Sequence, residues 1–324
     1  MQVVRYSSLY KEKWDSFIDT ARVKSFLYKR DFMDYHSDRF IDFSFLVIEN
    51  DRVKALLPAN ISENVVYSHQ GLTYGGFLYS NEETLGNVIL IVSEILRCLN
   101  ALGVDRLVLK LPPRFYYSGA SDEVPWVLFK LRSRLYRRDV ALSIDNIEKP
   151  IPYQERRRRA IKKVGKSKVL LKQGFCEFAP FWEEVLIPNL LSKHGVAPVH
   201  SLQEIELLAS RFPENIRQHN IYLDDKIVAG CTIFLNTSVA HAQYISGSEV
   251  GRNSGCLDYL FDHLIKNEYS AYRYFDFGIC NEQEGQLINK GLLDWKEGFG
   301  ARTIAHDFYE IDTDSYRLLE NYTT

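Results

Sequence analysis

The sequence predicts an α/β (α+β) protein of two tandem domains, each a mixed, largely antiparallel sheet flanked by helices. Two observations carry this. One succession of turn, strand, amphipathic helix and strand occurs twice, and its equivalent landmarks lie roughly 170 residues apart, near the ordinary length of a domain. In the first copy the turn Glu49-Asn50-Asp51-Arg52-Val53 leads to Tyr67-Ser68-His69-Gln70, an amphipathic run from Thr84 to Leu99 and a strand from Asp105 to Lys110. In the second, Leu223-Asp224-Asp225-Lys226-Ile227 leads to Ala240-His241-Ala242-Gln243, an amphipathic run from Cys256 to Ile265 and a strand from Tyr272 to Gly278.

Taken in order, Trp14, Phe17, Ile18 and Ala21 recur at helical spacing and predict a helix near residues 11 to 22. Phe43 to Glu49 and Val53 to Asn60 flank a polar turn and read as a hairpin, with Val65 to Ser68 opening the next strand. Gly71 and Gly75-Gly76 interrupt an aromatic stretch, as a bulged corner or a ligand loop does. Pro150 and Pro152 mark a boundary, dividing the chain into residues 1–150, a basic linker helix at 151–168 and residues 169–324. Arg156 to Arg159 point around that helix, so at least one reaches the protein side and needs a carboxylate or a bound phosphate. Beyond a helical region interrupted at Pro188, Ser201-Leu-Gln-Glu204 forms a capping box. A meander follows: Ile221 to Leu223, Lys226 to Leu235 and Val239 to Ser246.

Composition narrows the function. The 324 residues are 46% hydrophobic and 25% charged, ample for two cores, and a net charge of −2 gives no global case for nucleic acid or membrane binding. Five widely spaced cysteines without a Cys-x-x-Cys pair argue against a disulfide framework or zinc site. With no apolar signal core at the N-terminus, the expected location is the cytoplasm, without membrane insertion. Asp31 to Phe40 groups carboxylates with His36, but at no metal-ligand spacing, so hydrogen bonds and salt bridges are expected there and no metal.

The segment Ser246 to Cys256 holds three glycines between a strand and a helix. Gly251, Arg252, Asn253, Ser254 and Gly255 form the expected anion-binding loop, with a helix beginning near Gly255 aiming free N–H groups at a pyrophosphate or pantetheine. It is not a P-loop, because no Gly-Lys-Ser/Thr ends it.

This order of meander, small-residue loop, helix and strand resembles the acyltransferase fold of the GNAT superfamily. Asp276-Phe-Gly278 and Asn289-Lys-Gly291-Leu-Leu-Asp-Trp295-Lys296-Glu-Gly-Phe299-Gly300 further resemble signatures of the FemAB-like branch, in which two GNAT-like domains transfer an acyl or aminoacyl group to an amine. The resemblance implies a loop that holds coenzyme A and an aromatic-lysine pair, Trp295 and Lys296, that contacts the acceptor and stabilises developing charge.

Acyl transfer to an amine needs a base, a polarised carbonyl and a protonated leaving group. His241, sharing strand parity with Gln243 and opposite to Ala240, Ala242 and Tyr244, is the first choice of base. Asp276 orients the amine or acts through water, Lys296 is a desolvated cation, and Tyr244 or Tyr259 is a candidate acid. His69, Tyr74, Arg156 and Arg159 are expected on the acceptor side, with Tyr244 and Trp295 also touching substrate. The expected partners are a small-molecule acyl donor, acyl-CoA, and an amine acceptor on a sugar nucleotide or cell-envelope precursor. Nothing is expected to be bound permanently, and the chain is expected as a monomer or homodimer. An aminoacyl-tRNA donor is the variant, and a non-catalytic glycan- or RNA-binding protein the alternative of another class.

Overall fold

The computed structural model describes residues 1–148 and 150–322. The chain forms two compact units: Met1–Asp139 with Gln283–Gln286 and the stretch from Ala305, and Val140–Glu282 with Leu287–Ile304. The change of unit lies near the expected boundary, but neither unit is contiguous. The strand Arg134–Asp145 begins in the first unit and ends in the second, while Arg302–Asp312 begins in the second and ends in the first. Both strands run unbroken through the change, with no proline or glycine at it, so sequence punctuation points instead to Pro150.

In the first unit, Phe45–Glu49 pairs with Arg52–Leu57 across Asn50-Asp51, whose φ values of 49° and 61° are those a two-residue hairpin turn requires. Gln2–Arg5 and Leu78–Tyr79 complete a four-stranded antiparallel sheet. A second set of strands runs from Phe308–Asp312 through Arg106–Lys110, Val65–Tyr67 and Asn60–Ser62 to Ile41–Asp42. The helix Leu85–Ala101, capped by Thr84, buries Val88, Ile91, Val92, Ile95, Leu96 and Leu99 in a core shared with Leu107, Leu109 and Ile311. Each such side chain contributes roughly 1.5–3 kcal/mol. The N-terminal helix is shorter than its periodicity suggests, Lys11–Ile18, and Ala21 forms an isolated bridge with Ser80 instead. In the Asp31–Phe40 region Arg30 is buried against Asp34 and Asp42, the latter at 2.6 Å, and His36 stacks on Tyr35 and His69.

In the second unit, Val169–Gln173, Ile216–Leu223, Lys226–Leu235 and Val239–Gly247 form an antiparallel meander. Tyr274–Ile279 runs parallel to the last of these and pairs on its other side with residues 141–145. Asp224-Asp225 repeats the left-handed turn of the first unit. The helix Cys256–His263 packs Leu260 and Phe261 onto Phe275, Phe277 and Phe299. Pro188 marks a change of helix type rather than a break: π-helical Phe181–Leu186 passes into α-helical Ile187–His194, with Pro188 in its first turn. The capping box at Ser201 and Glu204 is formed in full. Among the described residues no helix is long and apolar enough to cross a membrane.

Candidate functional site

The parallel pair in the second unit joins only Val239–His241 to Tyr274–Asp276, although the strands continue to Gly247 and Ile279. Two irregularities part them. A register shift against Lys226–Leu235 leaves Gln243 as an extra residue, and Gly278 adopts φ +70° where pairing with residues 141–145 skips. A β-carbon on Gly278 would stand 3.3 Å from His241 Cε1, so glycine serves both the backbone conformation and the close approach. Beyond His241, no strand among the described residues pairs with the edge facing Tyr274–Ile279, leaving a site able to hydrogen-bond an extended amide chain.

Three polar side chains converge where the strands part. His241 Nδ1 lies 2.6 Å from Asp276 Oδ2, and Asp276 Oδ1 accepts the Gly278 N–H at 2.8 Å. With Nδ1–H donating to the carboxylate, the imidazole lone pair is on Nε2. Lys296 lies on the helix Lys290–Glu297, whose N-cap Asn289 accepts from Leu292 N at 2.9 Å. Its ammonium donates to Gly278 O at 3.0 Å and Ile279 O at 2.7 Å and is 2% exposed. Burial lowers the Lys296 pKa to about 8, while the nearby Asp276 charge pulls it back upward. His241, Asp276 and Lys296, far apart in sequence, thus share one buried cluster.

The remaining expectations fare differently. Trp295, next to Lys296, turns toward the aromatic cluster of Phe261, Phe277 and Phe299, packs half-buried against it and donates to Asp258 Oδ1 at 2.8 Å. Tyr244 is not opposite His241 in strand phase. The extra residue Gln243 shifts the alternation, so Ala240, Ala242 and Ile245 meet the apolar core, whereas Tyr244 packs on Trp182 and bonds His200 Nδ1 at 2.5 Å. Residues 249–254 are not a loop: Glu249–Ser254 is a helix capped by Ser248, and Gly255, at φ +90°, separates it from the next helix. The N–H groups of Gly251, Arg252, Gly255 and Cys256 already have acceptors within the segment. Gly251 is glycine because a β-carbon would stand 2.1 Å from Val228 O. The Arg252 guanidinium bonds Asn189 and Gly247 O, the Ser254 hydroxyl bonds Gly251 O at 3.4 Å, and Asn253 lies exposed on the same helix.

Of the four arginines, the inward one is Arg157, which the sequence did not single out. It grips Asp258 with bonds of 2.7 and 2.9 Å. Arg156 pairs with Asp294 and Arg159 with Glu155, both exposed. A helix phase fixes which arginine turns inward, and Ile161 and Val164, four and seven residues beyond Arg157, carry that signal.

In the first unit Tyr74 is 1% exposed, bonded to Ser25 and packed on Tyr28 and Tyr116, so it is core rather than substrate-facing. His69, at φ +67°, lines a cavity of about 500 Å³ with Lys110, Tyr136 and Phe308, residues from separate strands that no sequence motif joins. The parallel pair Val65–Tyr67 and Arg106–Lys110 matches that of the second unit, yet here the gap beyond it is filled by the chain itself. Gly75 N donates to Lys110 O at 2.7 Å and Lys110 N to Ser68 Oγ at 2.8 Å. A β-carbon on Gly75 would stand 1.8 Å from Ser68 O, so only glycine permits this closure.

No family model matches the sequence, and no curated protein matches it. Among solved structures, the fold is similar to that of FemX, with a TM-score of 0.68 over 99% of this chain and 100% of that one at 9% identity. It is similar to the C-terminal domain of a putative lysylphosphatidylglycerol synthetase from Agrobacterium fabrum, with a TM-score of 0.57 over 83% and 85% at 12% identity. A tandem GNAT protein from the clavulanic acid biosynthesis pathway gives 0.51 over 96% and 98% at 10% identity. At such identities the likeness speaks for architecture alone, and by architecture this chain has a tandem GNAT-like fold of the FemX type.

Proposed function

We propose that the chain is a cytoplasmic N-acyltransferase that moves an acyl group from a coenzyme A thioester to an amine of a sugar nucleotide or cell-envelope precursor. The observation that carries this reading is the His241–Asp276–Lys296 cluster at the mouth of the parted strands. The unpaired strand edge suits the amides of an extended donor arm. Asp276 holds His241 so that Nε2 accepts a proton from the attacking amine, whose nitrogen then bonds the donor carbonyl carbon. Lys296, about nine-tenths protonated at pH 7 for a pKa of about 8, stabilises the oxyanion. As the tetrahedral intermediate collapses, the carbon–sulfur bond breaks and the thiolate takes the proton from His241.

A second donor, an aminoacyl-tRNA, is favoured by two observations. On the exposed face of the basic segment no carboxylate among the described residues pairs with Lys162, Lys163, Lys166 or Lys168, and the helix Glu249–Ser254 offers no open glycine loop for a pyrophosphate. The test is transfer of labelled acyl groups from acyl-CoA to an amine-bearing sugar nucleotide. Turnover lost in His241→Gln and Lys296→Met, both still folded, supports the reading. Turnover unchanged in both variants overturns the assigned roles, and turnover only with charged tRNA replaces the donor.

A further inference from the structure

The first unit holds a built cavity of its own. Its floor is one face of a sheet. Along Arg106–Lys110 and its antiparallel partner, Leu107, Leu109 and Ile311 face the core, which turns Val108 and Lys110, with their register partners Glu310 and Phe308, to the other side. Tyr67 and Tyr136 supply aromatic walls, and Tyr136 meets Phe308 edge to face at 6.2 Å. The cavity measures about 500 Å³, room for a ring with one or two substituents.

Its lining sets two cations, Lys110 and Arg134, against two carboxylates, Glu284 and Glu310, the second of which is already engaged by arginines. Lys110 Nζ spends one hydrogen bond on Leu72 O at 2.6 Å and has no carboxylate in ion-pair contact among the described residues. Asp139, the carboxylate that acts on it from further off, is taken by Arg137 in a fork of 2.7 and 3.0 Å. Glu310 is shared between Arg106 and Arg134, two cations on one carboxylate. His69 Nδ1 accepts the Gly71 N–H at 3.2 Å, which leaves the proton of the neutral ring on Nε2. Burial drives the His69 pKa down to about 3, so the ring stays neutral in ordinary buffers. A buried ammonium without a counter-ion is costly, and a bound anion removes that cost. Glu284, exposed at the rim, is the acceptor available to ligand hydroxyls.

We propose that this cavity is a second binding site, taking a small carbohydrate that carries a phosphate or carboxylate, with Lys110 on the anion and Tyr67, Tyr136 and Phe308 against the ring. It stands apart from the transfer chemistry, because binding alone reads it.

Titration calorimetry on the full chain with glucose 6-phosphate, glucuronate, glucose and inorganic phosphate tests this. One of the two sugar anions should bind at least about tenfold more tightly than both glucose and inorganic phosphate, and which one does so assigns the anion as phosphate or carboxylate. Lys110→Met should lose that binding at least about tenfold without a lower Tm, since an apolar side chain of similar length replaces a buried charge. Tyr136→Ala keeps the charge, so the sugar anion should fall toward the affinity of inorganic phosphate. Absence of binding by either sugar anion at about 10 mM, undiminished binding in Lys110→Met, or inorganic phosphate matching the sugar anions overturns the proposal.

Discussion

Replacing Lys296 by methionine should make the stability of the protein respond differently to pH, and the size follows from burial. The folded pKa of about 8 lies below the ordinary 10.5, so the unfolded chain holds the proton more tightly and folding is penalised whenever the lysine is charged. The gap between 10.5 and about 8 amounts to about 3 kcal/mol, felt in full below pH 8 and relieved as pH rises toward 10.5. Methionine removes the charge but leaves Gly278 O and Ile279 O without their donor, at about 1 kcal/mol each. At pH 7 the variant should therefore be more stable than the wild type by about 1 kcal/mol, and near pH 10.5 less stable by about 2 kcal/mol. Urea unfolding of both proteins at several pH values between these limits gives the difference, in which other titrating groups cancel. A difference that stays constant within about 0.5 kcal/mol across the range would refute a buried, cationic Lys296.

Other expectations follow from the same contacts. Asp276→Asn should leave the fold intact but lower transfer on the order of 10²–10⁴-fold, because His241 loses the acceptor that sets its tautomer; steady-state rates beside circular dichroism check this. Arg157→Ala strands Asp258 nearly buried and should cost about 3 kcal/mol in urea unfolding, whereas exposed Arg159→Ala should change stability by less than about 1 kcal/mol. Gly251→Ala forces a β-carbon against Val228 O, and a Tm lowered by an equivalent of about 2 kcal/mol is expected, read by calorimetry.

Much of the fold is legible in the sequence where local chemistry decides it. Asn50-Asp51 and Asp224-Asp225 adopt the left-handed turns their residue types favour, and Ser201 caps with Glu204 as spaced. His241, Asp276 and Lys296 lie in three separate stretches of sequence and converge in the fold. Legibility fails where one extra residue resets a pattern, as Gln243 does for Tyr244, and where a glycine marks close packing rather than a loop, as Gly251 does. It fails also where an interior is filled from afar: the closure at Gly75 depends on Ser68 and Lys110, and the Lys110 cavity draws on strands more than a hundred residues apart, which no local window joins.

The interleaving of the units bears on how the protein is made. Phe308–Asp312 supplies a strand to the first unit, Ile311 and Leu319 belong to its core, and Thr313 bonds back to Val104 O at 2.6 Å. The first unit therefore cannot be completed until Phe308–Asp312 has been synthesised, whereas the second unit draws on no residue beyond Ile304. Until that strand arrives, the edge of Arg106–Lys110 that it covers stays unpaired, and an unpaired strand edge is where aggregation competes with folding.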